Sequence, residues 1–129
     1  MDIEEGDILT YERTFTEEDI RQFADVSGDM GAHHVERDDE GRLMAQGLLT
    51  ATLPTKIGGE LNYVARTLDF EFVKPVYAGD TVTCDVEITR LEPGEKRTRL
   101  ASKYVCRNGD GDAVLRGESD GMIPGKAAD

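Results

Sequence analysis

The sequence predicts a single α+β domain in which a curled antiparallel β-sheet wraps around one long central α-helix. Two observations lead to this fold class. The most apolar stretch, residues 43–61, is long enough for a central helix, and after residue 62 apolar and polar residues alternate in runs separated by turn signals. One helix covers one face of such a sheet, so a sheet curled around the helix is the simplest arrangement. The chain of 129 residues has the size of one domain, taken as 1–129.

The N-terminal part predicts a strand followed by a short helix. Residues 8–15, ILTYERTF, are β-prone. Thr16 is followed three residues later by Asp19, which is a capping-box pattern, and apolar residues then recur at helical spacing. A helix over 17–26 is therefore expected, ended by Gly28. The polar stretch that follows is expected in a loop, where functional side chains are common.

The central helix is predicted over 43–61, LMAQGLLTATLPTKIGGEL. Gly47 lies near its start, and Gly58 and Gly59 lie at its end. Pro54 lies in its interior and cannot donate a backbone hydrogen bond, so a kink or an early end is expected there.

Four strands are predicted in the second half of the chain, each bounded by turn residues. They are RTLDFEFV at 66–73, TVTCDVEITRL at 81–91, TRLASKYVCR at 98–107 and AVLRGESDGMIP at 113–124. The tail, about 124–129, is expected to fray. Because one helix leaves part of the sheet uncovered, a homodimer is expected.

The composition excludes several classes of partner. With 27 acidic and 15 basic residues the net charge is −12, and no basic face is available for nucleic acid or for an anionic membrane. No apolar run approaches the 18 residues of a membrane span, and the N-terminus has no secretory apolar region, so a cytoplasmic protein is expected. Cys84 and Cys106 lie in apolar runs and are interpreted as small buried hydrophobes, without a metal site.

The balance of charged residues also bears on the environment of the protein. Ten of the basic residues are Arg and only five are Lys. An acidic, Lys-poor composition resembles that of proteins from salt-loving cells, because molar salt screens the self-repulsion of such a surface. An ordinary acidic cytoplasmic protein is the alternative interpretation.

The polar stretch SGDMGAHH contains the candidate chemistry. It places Asp29 five residues before His34, and His33 is the only other histidine of the chain. Taken alone, the Asp would be a helix-terminal or turn carboxylate and each His a turn residue. A carboxylate and an imidazole on one loop are also the residue types that general acid–base catalysis uses.

Three segments carry a resemblance to a known family. FTEEDIRQFADVSGDMGAHH is similar to a Phe-Ser/Thr helix that leads into Gly-Asp-x-Asn-Pro-x-His, AQGLLTATL is similar to His-Gly-Met-Leu-x-Ala-Ser-Leu, and LDFEFVKPVYAGDTV is similar to Phe-x-x-Pro-Val-x-x-Gly-Asp-x-Val. These are motifs of the MaoC-like dehydratases, which include the (R)-specific enoyl-CoA hydratases. The resemblance covers roughly residues 15–122 and implies a dimeric hot-dog fold, a sheet wrapped around a central helix.

The resemblance also implies roles for single residues. Asp29 and His34 fall on the catalytic Asp and His of the family, and His33 falls on a variable position. Thr52 falls on a Ser that helps to orient the catalytic Asp, and Gly47 falls on the Gly whose amide binds the thioester oxygen.

The sequence departs from the family motifs at two places. Gly31 and Ala32 replace Asn-Pro, which leaves the turn before the histidine less pre-organised. Gln46 replaces the His before the conserved Gly. Neither change removes a proton-transfer group, so both concern rate and substrate range more than reaction type.

The implied reaction is the (R)-specific hydration of trans-2-enoyl-CoA to 3-hydroxyacyl-CoA, or the reverse dehydration, without metal or other cofactor. Coenzyme A carries phosphates, and the cations that could contact them in this acidic chain are Arg42, Lys56, Arg66 and Lys74. Two alternatives remain open. One is a hot-dog thioesterase, which would place a carboxylate on the central helix, whereas QGLLTATLPTKIGGE has none before Glu60. The other is a non-catalytic acyl-binding protein.

Overall fold

The computed structural model of the chain describes residues 3–125. The strands are β1 (Ile8–Thr14), β2 (Val64–Phe72), β3 (Thr81–Pro93), β4 (Arg97–Arg107) and β5 (Ala113–Pro124), and the helices are α1 (Glu17–Ser27), α2 (Ala32–Val35), α3 (Gly47–Thr50) and α4 (Thr52–Glu60). The strands form one antiparallel sheet in the order β1-β3-β4-β5-β2. The predicted α+β class and curled antiparallel sheet are confirmed. The tail predicted to fray, about 124–129, lies outside the described residues beyond Gly125, whereas Pro124 ends β5 and the Gly125 amide donates to the Lys96 carbonyl.

Local signals explain both ends of α1. The Thr16 hydroxyl accepts from the Asp19 amide at 3.1 Å, and the Asp19 carboxylate accepts from the Thr16 amide at 3.0 Å, which completes the predicted capping box. Gly28 ends the helix in the left-handed conformation, with φ 77°, and donates its amide to the Ala24 carbonyl. The chain therefore leaves α1 sharply and enters the polar stretch.

The core lies between the inner face of the sheet and α4. Alternate residues of β3 and β4 are buried, as the period of two predicts, and α4 contributes Leu53 and Ile57. Cys84 and Cys106 face each other across these two strands as free, fully buried thiols, so their predicted role as small hydrophobes is confirmed. The hydrogen bond with Cys106 and burial raise the pKa of the Cys84 thiol.

The central helix differs from the predicted 43–61. Residues 43–46 are extended, because Met44 pairs with Tyr77 and the Ala45 amide donates to the Val76 carbonyl. The helix begins at Gly47 and is interrupted at Ala51, upstream of the expected break at the proline.

Pro54 and two threonines explain this interruption. Pro54 lies in the first turn of α4, where a backbone amide would have no partner within the helix. The Thr52 hydroxyl donates to the Leu49 carbonyl at 2.5 Å, and the Thr55 hydroxyl donates to the Ala51 carbonyl at 2.9 Å. Hydroxyl groups thus satisfy carbonyls around the break.

The end of the helix also differs from the expectation. Gly58 and Gly59 lie inside α4, and Asn62 adopts the left-handed conformation with φ 56°. The chain then turns directly into β2. Within residues 3–125 the structure contains no helix with the length and apolar character of a membrane span.

Strand β2 is an edge strand that the helix leaves uncovered. Helix α4 packs on β1 and β3, at the other side of the sheet. The apolar side chains of Val64, Leu68 and Phe72 on β2 are consequently more than half exposed. A long, apolar, unpaired edge is the kind of surface that pairs with another chain.

Candidate active site

The turn after α1 holds Asp29. The Asp29 amide donates to the Ser27 hydroxyl at 3.0 Å, and the Gly31 amide donates to Asp29 Oδ1 at 3.4 Å. These contacts leave Oδ2 free to face the next element. The Asp29 side chain is 51% exposed.

His34 lies in the short helix α2, and not in a loop as the sequence predicted. Its Nδ1 lies 2.8 Å from the Met44 carbonyl oxygen. A carbonyl can only accept, so Nδ1 carries the proton and Nε2 of the neutral ring is an acceptor. Nε2 lies 3.5 Å from Oδ2 of Asp29, and the His34 side chain is only 7% exposed. Asp29 and His34, the predicted pair, therefore lie close together, and the Met44 carbonyl fixes the orientation of the imidazole.

A surface ion pair ties the histidine-bearing helix to α1. Arg37, two residues after α2, donates through Nε and Nη2 to Glu17 at 2.9 and 2.6 Å. The hydrogen bonds and charge of Arg37 lower the pKa of Glu17. This bidentate pair fastens α2 at the start of α1.

His33 lies beside His34, with ring centroids 3.9 Å apart. Its backbone carbonyl accepts from the Met44 amide at 3.0 Å. A Cβ atom added at Gly31 would lie 2.9 Å from Cε1 of His33, so the glycine that replaces the family's Asn leaves room for this ring.

Gly47 is the first residue of α3, and the preceding Gln46 is buried. Gln46 Nε2 donates to the Ile20 carbonyl at 3.0 Å, which anchors the start of α3 on α1. Its Oε1 is buried without a hydrogen-bond partner among the described residues. A Cβ added at Gly47 would lie 2.7 Å from the ring of Phe72 on β2, so a side chain at this position would require that ring to shift.

An open cavity of about 480 Å³, the dyad cavity, joins these elements. Asp29, His34 and Gly47 line it together with Thr50 and Lys74. Three of the four predicted site residues are thereby brought together. No group of three or more His, Cys, Asp or Glu side chains in the described part of the chain could hold a metal.

Thr52 is the predicted site residue that does not line the dyad cavity. The Thr52 hydroxyl donates to the Leu49 carbonyl, and it forms no hydrogen bond with Asp29. Thr50, which is buried, occupies the cavity wall instead. Its position three residues after Gly47, on the same helical turn, is the signal that could have identified it.

The structure places the candidate cations for coenzyme A at different distances from the dyad cavity. Lys74 lines the dyad cavity and pairs with Asp112 at 2.9 Å. Arg42 and Lys56 pair with Asp38 and Glu60, and neither lines the dyad cavity.

Comparison with known proteins identifies the family of the chain. The sequence model of the MaoC like domain matches residues 3–108. The chain belongs to the MaoC-like domain family. A curated (R)-specific enoyl-CoA hydratase of Rhodospirillum rubrum is 33% identical over 97% of this chain and 91% of that protein. A 3-hydroxybutyryl-CoA dehydratase of Methylorubrum extorquens is 32% identical over 97% of this chain and 83% of that protein.

Solved structures of other MaoC-like proteins share the fold. An unliganded R-hydratase from Pseudomonas aeruginosa superposes with a TM-score of 0.80 at 24% identity, covering 96% of this chain and 84% of that chain. The (R)-hydratase from A. caviae, described as involved in PHA biosynthesis, gives a TM-score of 0.80 at 24% identity, covering 95% and 98%. These likenesses establish the hot-dog fold of this MaoC-like chain.

Proposed function

We propose that this MaoC-like protein catalyses the (R)-specific hydration of trans-2-enoyl-CoA to 3-hydroxyacyl-CoA, and the reverse dehydration. The observation that carries the proposal is the approach of Asp29 Oδ2 to His34 Nε2, at 3.5 Å, in a cavity that also receives the start of α3. Family membership and the printed activities of the two curated relatives support the same reaction.

Asp29 and His34 supply the proton transfers in this proposal. Both present acceptor atoms to the dyad cavity, and atoms 3.5 Å apart can contact one water molecule. The pair takes one proton from that water as its oxygen bonds to C3, and the same proton is delivered to C2. The sum is the addition of one water across the double bond. Such acid–base groups contribute on the order of 10²–10⁴ in rate.

Gly47 supplies a donor for the negative charge that develops on the thioester oxygen. The first amides of a helix have no acceptor within it, so the amide of Gly47 is available to an oxyanion. Because α3 has four residues, the amide itself matters more than a helix dipole.

We further propose that a homodimer is the active form. Leu48 and Phe72, which line the dyad cavity, and Met30, which follows Asp29, are more than half exposed. Covering this surface with a second copy would bury apolar area and shield the half-exposed Asp29 from water.

One assay tests the reaction and separates the alternatives. Purified protein is mixed with crotonyl-CoA, and the enoyl-thioester absorbance and free thiol are followed together. Loss of absorbance without thiol release, with the (R)-3-hydroxy product, supports the hydratase. Thiol release identifies a thioesterase. If neither the absorbance nor the free thiol changes, the protein is a non-catalytic acyl-binding protein.

A further inference from the structure

A second cavity, the inner cavity, lies between α4, β2 and the inner face of the sheet, beside the dyad cavity along β2. It has a volume of about 200 Å³. Thr50 lines the dyad cavity and Pro54, four residues on, lines the inner cavity. Phe72 and Phe70 hold the corresponding positions on β2, with ring centroids 6.3 Å apart. The two cavities therefore lie one after the other along β2.

The wall of the inner cavity contains three linked hydroxyl groups, the hydroxyl cluster of Tyr63, Ser102 and Ser119. The Tyr63 hydroxyl donates to Ser119 Oγ at 3.0 Å, and the hydroxyls of Ser102 and Ser119 lie 2.8 Å apart. The two serines are paired across β4 and β5 on the inner face, where the alternating pattern otherwise places apolar side chains. The cluster is thus a polar feature inside an apolar wall.

The hydroxyl cluster has a spare donor. Three hydroxyls carry three protons, and the two hydrogen bonds within the cluster use two of them. Burial raises the pKa of Tyr63, which keeps its proton in place at neutral pH. The third proton, on one of the two buried serines, can be donated to an acceptor that enters the inner cavity.

The lining of the inner cavity restricts that acceptor to uncharged groups. Within residues 3–125, all side chains that line it are uncharged, so a carboxylate would lack a counter-ion there. A terminal hydroxyl or carbonyl oxygen would instead satisfy the spare donor. A buried cavity of 150 Å³ holds benzene, so about eight carbon atoms fit in this one.

We propose that the inner cavity selects thioesters whose acyl chain carries an uncharged oxygen function near its far end, bound by the hydroxyl cluster. This inference rests on the proposed enoyl-CoA chemistry of the dyad cavity. Leu68 on β2 pairs with Ser119 of the cluster, and Phe72, which lines the dyad cavity, follows Leu68 by four positions. At the rise per residue of a β-strand, the cluster lies about 13 Å along the strand from the dyad cavity. A medium-length chain spans that distance.

The test uses pairs of trans-2-enoyl-CoA substrates of equal length, one ending in a methyl group and one in a hydroxyl group, over about six to twelve carbons. The ratio of kcat/KM within each pair is measured on one preparation, so incomplete folding of a variant cancels. We expect the wild-type protein to favour the hydroxyl substrate about tenfold at one chain length, the value of one neutral hydrogen bond.

Variants of the hydroxyl cluster connect this preference to its residues. The triple variant Tyr63→Phe/Ser102→Ala/Ser119→Ala removes every hydroxyl of the cluster and should lower the ratio to one or below, because a substrate hydroxyl without a partner costs free energy on burial. Thr10→Ala is the matched control, since its hydroxyl is exposed on β1 and bonds to Asp85. It should keep the wild-type ratio.

A ratio of one at every length in the wild-type protein overturns the inference, and so does an unchanged ratio in the triple variant. If the protein hydrates no enoyl-CoA, the proposed reaction fails separately. The affinities of saturated acyl-CoA pairs, measured by equilibrium dialysis, then decide the inference: tighter binding of the hydroxyl member upholds it, and equal binding overturns it.

Discussion

The ring of Phe72 occupies the place that a side chain on Gly47 would need. A Cβ atom at residue 47 would lie 2.7 Å from Cε1 of Phe72 and 2.9 Å from Cδ1. This contact brings the start of α3 against the edge strand β2. Gly47 thereby lines the dyad cavity, which leads to the first prediction.

Gly47→Ala should lower kcat/KM by about tenfold or more and also lower the melting temperature, because overpacking costs about 1–3 kcal/mol. Phe72 is half-exposed, so Phe72→Leu in the same chain should recover part of the loss.

Gly59→Ala is the matched stability control. A Cβ there meets nothing within 4 Å, and removing a helical glycine should raise the melting temperature. Equal melting temperatures for the two alanine variants would contradict the steric account.

Asp29→Asn and His34→Ala should each lower kcat for crotonyl-CoA hydration by at least about 10², the lower end for loss of an acid–base group. The double variant should be little worse than the poorer single variant, since in the proposed mechanism both groups act on one water. Steady-state kinetics with circular dichroism as a folding check measures this.

His33→Ala is the control for the dyad, being the same residue type one position away, and should keep most of the activity. If His33→Ala is inactive and His34→Ala is active, the assignment is displaced by one residue. Full activity of all three single variants would show that the stretch is only a turn.

A charge on the apolar edge of β2 should weaken the dimer. Val64→Lys places a cation on this edge, and we expect the dimer dissociation constant to rise by at least about tenfold, since lysine is depleted at interface cores. Val26→Lys is the matched control, because Val26 on α1 is 85% exposed and away from the edge. Sedimentation velocity over a concentration series measures both. A stable, active wild-type monomer at micromolar concentration would refute the homodimer.

The net charge of −12 predicts that salt stabilises the protein. The melting temperature should rise between low salt and about 2 M KCl, as the Debye length shrinks to a few Å and self-repulsion is screened. Sulfate at equal ionic strength separates this effect from salting-out, which also stabilises folded proteins. A flat or falling melting temperature in KCl would show an ordinary acidic protein.

The ion pair of Glu17 with Arg37 predicts a loss of stability in acid. Its hydrogen bonds lower the pKa of Glu17 in the folded state, so the pair stabilises the fold above the unfolded pKa of this group and stops doing so as the pH falls through the folded pKa. The melting temperature of Arg37→Gln should therefore lie below that of the wild type at pH 7 and converge with it in acid.

Arg107→Gln provides the comparison for this titration. Arg107 donates to the Gly111 carbonyl, which does not titrate. The difference in melting temperature between Arg107→Gln and the wild type should therefore stay constant with pH. A difference for Arg37→Gln that is equally constant would show that the ionisation of Glu17 does not contribute to stability through this pair.

Elements with local signals were predictable from the sequence. The bounds of α1 follow from the Thr16–Asp19 capping box and Gly28, and the strands β3 to β5 follow from alternation, because both patterns depend on neighbours within a few residues. The extended segment at 43–46 was not predictable in this way. Its apolar residues fit a helix, but pairing of Met44 with Tyr77 holds it extended.

The exposure of β2 was also decided by packing. Its alternation predicts one buried face, yet α4 lies over β1 and β3, and the side chains of Val64, Leu68 and Phe72 remain exposed. Alternation records which residues share a face, and the position of the helix determines which faces are covered.

The sequence by itself determined the residue types of the candidate chemistry, an Asp and a His five positions apart, and the family to which the chain belongs. Only the tertiary structure decided that Nε2 of His34 faces Asp29, since the proton on Nδ1 depends on the Met44 carbonyl ten residues away. The tertiary structure also shows that Thr50, and not Thr52, lines the dyad cavity. The physical reason is that hydrogen bonds and cavity walls depend on distances between elements, which sheet pairing and helix packing set and local pattern does not encode.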